Sequence, residues 1–423
     1  MQQQIAKRFV IGLFIIAALI FMYQWLLPFF TDPGDKGRVE TAGLLVTLED
    51  TDDGTQLVSF DAKGNKTVAA GDWNGKEVRQ ATWRSDGNRV MLIANRDADA
   101  FQIYRWNTGA NSVDRRMPEG SRNVSHIWYA QNGNEDWNDR GLAVVGGLVY
   151  EFVQGGDPRL TQVLPPQGTG PTMTETEGVQ GSGEALSGPY KALGDSFSEA
   201  AYAAGGQVIF AIMRRDEGEV LIAQRLGVDE ENRPFPPVPI MAADSIEMYV
   251  NGSGQGVFSF WGFQWPDPNA IPEDFRKDGK ITTPYRNGLA LLSWNETNNQ
   301  PMMVPVFLTP NDEAARAPTL SQDGQAIVAQ FGALKDGQFV GQALILMPAK
   351  EAGIQESTPI GPGTLTSPTI SADGSMVASI GKDEQGRTRV YIIERGGPPV
   401  AVGDPGDYRQ PIFSPQAPAK ASP

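Results

Sequence analysis

Thr369-Ile370-Ser371-Ala372-Asp373-Gly374, with Met376-Val377-Ala378 just after it, decides the architecture of this chain because the phrase recurs. Thr319-Leu320-Ser321-Gln322-Asp323-Gly324 precedes Ile327-Val328-Ala329, and Thr82-Trp83-Arg84-Ser85-Asp86-Gly87 precedes Val90-Met91-Leu92-Ile93-Ala94. Asp-Gly between two β-prone runs marks a hairpin, since both residues tolerate the positive φ of a tight turn. A supersecondary unit reused across most of a chain points to an all-β repeat fold, a β-propeller.

Weaker copies fill the spaces. Ile127-Trp128-Tyr129 leads to Asn132-Gly133, Ala201-Tyr202-Ala203 to Gly205-Gly206, and Met248-Tyr249-Val250 to Asn251-Gly252-Ser253-Gly254. The turn glycines 87, 133, 206, 254, 324 and 374 are separated by 46, 73, 48, 70 and 50 residues. Three of these spacings suit a four-stranded blade. The two long ones contain insertions, at about 164–196 and about 266–284. The first is rich in Gly, Pro, Thr and Ser and reads as a flexible excursion. The second is proline-rich with mixed charge. Third strands are expected at Gln102-Ile103-Tyr104-Arg105-Trp106 and at the runs beginning Leu148, Val220, Leu289, Ala343 and Val390. Leu44-Leu45-Val46-Thr47-Leu48, Leu57-Val58-Ser59-Phe60 and Thr67-Val68-Ala69 remain at one end, Gln410-Pro411-Ile412-Phe413-Ser414 at the other. Three amino-terminal strands and one carboxyl-terminal strand would make a seventh blade and remove the free sheet edges. The expectation is a propeller over residues 43–415 with seven four-stranded blades, six or eight being the alternatives. Residues 416–423 are expected to form a disordered tail.

Residues 9–23 carry no charged or strongly polar side chain, and Trp25-Leu26-Leu27 extends the run past Gln24. Residues 9–27 as a helix would be roughly 28 Å long, close to the hydrocarbon thickness. Tyr23 and Trp25 suit an interfacial belt, and Pro28 ends the helix. A cleaved signal peptide would need a small-x-small site, whereas Leu26-Leu27-Pro28-Phe29-Phe30 follows. The expected organisation is a cytoplasmic amino terminus (1–8, with Lys7 and Arg8), a single transmembrane signal anchor (9–30) and a linker (31–42). The propeller would then lie in the periplasm or extracellular space, tethered to the cytoplasmic membrane.

The phrase Pro-x-x-Ser-x-Asp-Gly, well matched at residues 318–324 and 368–374 and partly at 83–87, resembles the WD40-like repeats of TolB-type propellers. The resemblance covers about three blades, roughly a third of the chain. It implies a bacterial envelope protein with an interaction role. TolB-type proteins carry an α/β domain before the propeller, and no space for one exists here, so a role in the Tol–Pal system does not carry over.

Signals of chemistry are sparse. The net charge of −15 argues against nucleic acid as a partner, and the lack of cysteine removes thiol nucleophiles and thiolate metal sites. His126 is the only histidine, so a Ser-His-Asp triad or histidine metal site would have to use it. It sits on an expected innermost strand and could face the central channel, either as a ligand contact or as a hydrogen-bonded structural histidine. No Gly-x-Ser-x-Gly elbow occurs. Trp261, Phe263 and Trp265 alternate and so share one strand face, as a stacking platform for a sugar or as packing between blades. Glu49-Asp50-Thr51-Asp52-Asp53-Gly54 lacks the ligand spacing of an EF-hand and reads as an acidic hairpin turn. Arg214-Arg215-Asp216-Glu217-Gly218-Glu219 reads as a solvated hairpin tip. Asp86, Asp323 and Asp373, with Gly87, Gly324 and Gly374, are turn formers rather than acid/base groups. No catalytic residue, metal ligand or cofactor is assigned. The sequence favours a non-enzymatic scaffold or accessory subunit that binds envelope or membrane proteins. A carbohydrate- or peptide-processing propeller with its site at the channel mouth is the alternative, and a cluster of carboxylates and arginines there with shifted pKa values would favour it.

Overall fold

The computed structural model describes residues 45–61, 64–69, 75–83, 89–97, 100–117, 123–129, 140–153, 160–166, 186, 188–264, 276–277, 280–281, 286–309, 312–336, 338–351 and 356–414. The expected anchor, linker and tail, and also Asp86, Gly87 and Trp265, lie outside these residues. No helix among the described residues is long and apolar enough to cross a membrane.

The described residues form antiparallel sheets arranged as successive blades. Blade 1 is Val78–Trp83, Arg89–Ala94, Gln102–Asn107 and Ser112–Arg115, and blade 2 is Val124–Tyr129, Arg140–Val145, Leu148–Val153 and Leu160–Leu164. Blade 3 is Ser196–Ala203, Val208–Arg215, Gly218–Arg225 and the first half of Val238–Val250. The second half of that strand opens blade 4, which continues through Gly256–Gln264, Asn287–Asn295 and Gln300–Thr309. Blade 5 is Glu313–Leu320, Ala326–Lys335, Gln338–Pro348 and Thr358–Pro362; blade 6 is Thr366–Ile370, Met376–Lys382, Thr388–Glu394 and Pro399–Val402. The last blade is split: Asp407–Phe413 is followed in the sheet by Leu45–Thr51, Gly54–Phe60 and Lys66–Val68. Each run expected as a third strand is the third strand of its blade.

The first strand of each blade touches the first strand of the next, and Asp407–Phe413 returns to Val78–Trp83, so the ring closes. That closure is what makes the fold a β-propeller. It leaves the inner edges of the first strands around a channel, where a missing N–H breaks no ladder bond. Pro318, Pro368 and Pro411 occupy those edges for that reason. The core consists of apolar layers between blades. Met91, Ile93 and Ile103 of blade 1 pack on Val124, Tyr129 and Phe152 of blade 2, and Leu45, Val58 and Phe60 of the split blade pack on Ala378 and Val390 of blade 6. Trp83 anchors the closure, its indole N–H donating to Ile412 O at 3.1 Å.

One strand was unforeseen and one expectation is corrected. Val238–Val250 is one unbroken strand shared by two blades, because residues 240–250 contain no Gly or Pro to end it. The first insertion is not wholly a flexible excursion. Its end forms the helix Gly188–Leu193, and Leu186 and Tyr190 are buried in the core. Burial requires the Tyr190 hydroxyl to find a partner, and it donates to Gln224 Oε1.

Candidate functional site: the central channel

Seven first strands that converge without filling the axis leave a cavity of about 590 Å³, lined by residues from every blade. Its wall has a repeating position. Seven residues before each turn glycine stand Gln80, His126, Glu199, Glu247, Ala317 and Ser367; Gln410 is the counterpart on Asp407–Phe413. Six of the seven first strands carry a ladder irregularity beside this position, between Val78 and Gln80, Val124 and His126, Phe197 and Glu199, Arg316 and Thr319, Thr366 and Thr369, and Arg409 and Ile412. A bulge re-aims the side chain or the amide at that point. Ala317, Ser367 and Gln410 take it with φ of 47°, 50° and 52°. These are uncommon values for side-chain-bearing residues, and each immediately precedes a proline.

The wall position links successive blades. The Gln80 amide accepts from Ile127 N–H and donates to Ile127 O, both at 2.9 Å. Glu199 accepts from Met248 N–H. Glu247 accepts from Ala317 N–H at 2.5 Å and from Arg316 Nε and Nη2 at 3.0 and 2.8 Å. The bulged φ at Ala317 presents the amide that Pro318 cannot supply. One arc of the ring, blades 2 to 4, therefore carries an imidazole and two carboxylates, whereas Ala317 and Ser367 leave room on the far side.

Electrostatics on this arc are unusual. Burial pushes the Glu199 carboxyl up to about 8; the Glu219 and Glu247 charges add to this, and Arg214 and the Met248 amide only partly oppose it. Glu219 is raised as well, mainly by burial, although it accepts from Ile246 N–H at 2.7 Å. His126 is enclosed by protein except on the cavity side, and desolvation lowers its imidazole to about 4. It has no hydrogen-bond partner among the described residues. Thr319 Oγ1, also on the wall, is buried without a partner.

At this end of the channel the Arg316 guanidinium lies 5.3 Å from the Trp261 ring centroid and 5.6 Å from that of Phe339. Arg409 is held by Asp50 at 3.1 Å and donates to Val78 O. Arg79 stacks on Phe101 and pairs with Glu77.

His126 thus lines the channel, and Trp261 stands by Arg316 near it. Phe263 does not share the Trp261 face. Gly262, at φ 67°, lies between them and interrupts the pleat, so Phe263 packs on Phe260 and the blade 3 core. Asp323 and Asp373 do shape turns, accepting from Gln325 N–H and Ser375 N–H at 3.0 Å, with Gly324 and Gly374 at φ 69° and 70°. The acidic Glu49–Gly54 run is a hairpin turn whose Asp50 and Glu49 pair with Arg409 and Lys66. The Arg214–Glu219 tip is exposed at Arg214, Asp216 and Glu217, and the charges of its two end residues act on Glu199. Glu199, Glu247 and Arg316 were not singled out from the sequence. The usable signal was the spacing of seven to the turn glycine, which the eye passes over because the residue type changes from blade to blade.

No protein-family model matches the chain, and no curated protein matches it. Similar solved structures include TolB from Acinetobacter baumannii, at 11% identity and TM-score 0.46 over 88% of this chain and 66% of that one. Oligogalacturonate lyase in complex with manganese is similar at 11% identity and TM-score 0.46, covering 85% of this chain and 84% of that one. A puromycin-hydrolyzing peptidase of Mycobacterium tuberculosis is similar at 12% identity and TM-score 0.46, covering 91% of this chain and 56% of that one. Likeness this distant says nothing about the site. The propeller rests on the ring of strands.

Proposed function

We propose that this chain is a membrane-anchored, extracytoplasmic propeller of the bacterial cell envelope that acts by binding, as a scaffold or accessory subunit. The carrying observation is the open cavity on the propeller axis, lined by all seven first strands. Several of its polar groups tie neighbouring blades together, and no nucleophile–base pair stands among the described residues. The anchor reading rests on the apolar run at residues 9–27 behind Lys7 and Arg8. Fractionation and crosslinking of the full chain in native membranes tests both parts. The expected result is an integral protein with an intact amino terminus, crosslinked from Phe339 or Trp261 to an envelope protein. A mature start near residue 31 would overturn the anchor, and turnover of a glycan or peptide with no recoverable partner would overturn the scaffold.

That second outcome corresponds to a reading with its own support. Glu199 and Glu247 are carboxylates in different surroundings, the first raised by burial to about 8 and the second paired with Arg316, and two carboxylates at one site are what acid/base chemistry uses. A channel hydrolase or lyase of carbohydrate or peptide would lose turnover in Glu199→Gln, whereas a scaffold would keep its partner.

A further inference from the structure

The channel wall is unevenly satisfied. Its arginines are already committed: Arg316 to Glu247, Arg409 to Asp50 and Val78 O, Arg79 to Glu77 and the Phe101 ring. The acidic arc has no equivalent. Glu199 holds a single backbone N–H, and around it stand Glu219 and Glu247, with Arg214 as the opposing charge and His126 on the adjoining blade. Two further groups on the wall are unused acceptors, a buried imidazole kept neutral and a buried threonine hydroxyl. Cations with several N–H donors are what such a wall lacks. A metal ion suits it poorly, because no three His, Cys, Asp or Glu side chains among the described residues cluster closely enough to hold one. An anion would meet the carboxylates, with the wall's described guanidinium groups already paired.

We infer that the cavity takes an organic cation, a primary ammonium or guanidinium group, seated against Glu199 and His126. The inference rests on the channel being a binding site and names what it binds. The ammonium would donate to the Glu199 carboxylate and to the free imidazole nitrogen, a charge-assisted pair in a water-poor site. Ala317 and Ser367, the small residues of the ring, leave the space the group enters. Since Glu199 holds its proton at neutral pH, seating a cation there ionises it. One proton is released, and the carboxylate forms the ion pair.

The probe is n-butylammonium, with n-butanol and butyrate as neutral and anionic matches, titrated calorimetrically into the detergent-solubilised full chain in two buffers of different ionisation enthalpy. Butylammonium is expected to bind about ten-fold or more tighter than butanol, as a charge-assisted contact requires. Close to one proton should be released near pH 7, with affinity rising about ten-fold per pH unit below 8. Glu199→Gln should lose the proton release and most of the preference, and its thermal unfolding checks that it is folded. The proton count of the unsubstituted protein needs no variant. Equal binding of butanol, a preference for butyrate, Mn²⁺ binding in place of the amine, or no proton release overturns the inference. If butylammonium is silent while an envelope partner crosslinks at the channel mouth, the binding function stands and the cation assignment fails.

Discussion

Glu199→Gln should change how stability depends on pH, with a sign set by two residues on adjoining blades. Unfolded, Glu199 titrates near 4.5; folded, near about 8. Between these values the folded chain keeps a proton that the unfolded chain releases, so stability falls as pH rises, by about 1.4 kcal/mol per pH unit. His126 works in the opposite direction. Its folded value is about 4 against 6.5 unfolded, so the unfolded chain gains a proton below 6.5 and stability falls as pH drops. From about pH 4.5 to 6.5 the two slopes nearly cancel. From 6.5 to 8 the His126 contribution is spent and the Glu199 slope remains, worth about 2 kcal/mol over that window. The glutamine amide can still accept the Met248 N–H, so Glu199→Gln removes the titration while preserving shape. Urea unfolding followed by tryptophan fluorescence at about pH 5.5, 6.5 and 8 measures the differences. Between 6.5 and 8 the variant should lose about 2 kcal/mol less than the unsubstituted protein, and it should be the more stable of the two at 8. If both proteins lose stability in parallel over that window, Glu199 is not the buried acid and the electrostatics of the acidic arc are wrong.

Removing residues 407–423 should leave Leu45–Thr51 as an open apolar edge and shift the protein to aggregates on size exclusion; elution unchanged from the full chain would contradict the split-blade closure. Trp83→Phe keeps the ring but loses the bond to Ile412 O, and should lower unfolding stability by about 1 kcal/mol without changing the fold. Gly262→Ala places a Cβ against the Asp244 carboxylate at a left-handed φ and should destabilise by about 1–3 kcal/mol in the same urea assay. Tyr190→Phe leaves Gln224 Oε1 buried without its hydroxyl partner. It should cost about 1–2 kcal/mol, a loss absent if the end of the first insertion were free of the core.

The frame was legible because local chemistry encodes it. Asp323-Gly324 and Asp373-Gly374 announce hairpins through their own backbone preferences, and the apolar runs beside them are the strands that pack between blades. The fragments around Leu45 and Ile412 could be matched by elimination, since an unpaired strand at each end of a ring has one place to go. The shared strand Val238–Val250 left only a negative signal, the absence of a breaker. The Trp261 and Phe263 alternation misled because one glycine in a left-handed conformation interrupts the two-residue period.

What the sequence by itself determined is the repeated Asp-Gly hairpin, hence the strands, their order and the split last blade, because turn geometry and side-chain alternation act over a few residues. The site belongs to the tertiary structure. Gln80, His126, Glu199 and Glu247 are separated by 46, 73 and 48 residues, and only the closed ring brings them to one wall. Their protonation is likewise set by burial and by charges on neighbouring strands, quantities that do not exist until the blades have packed.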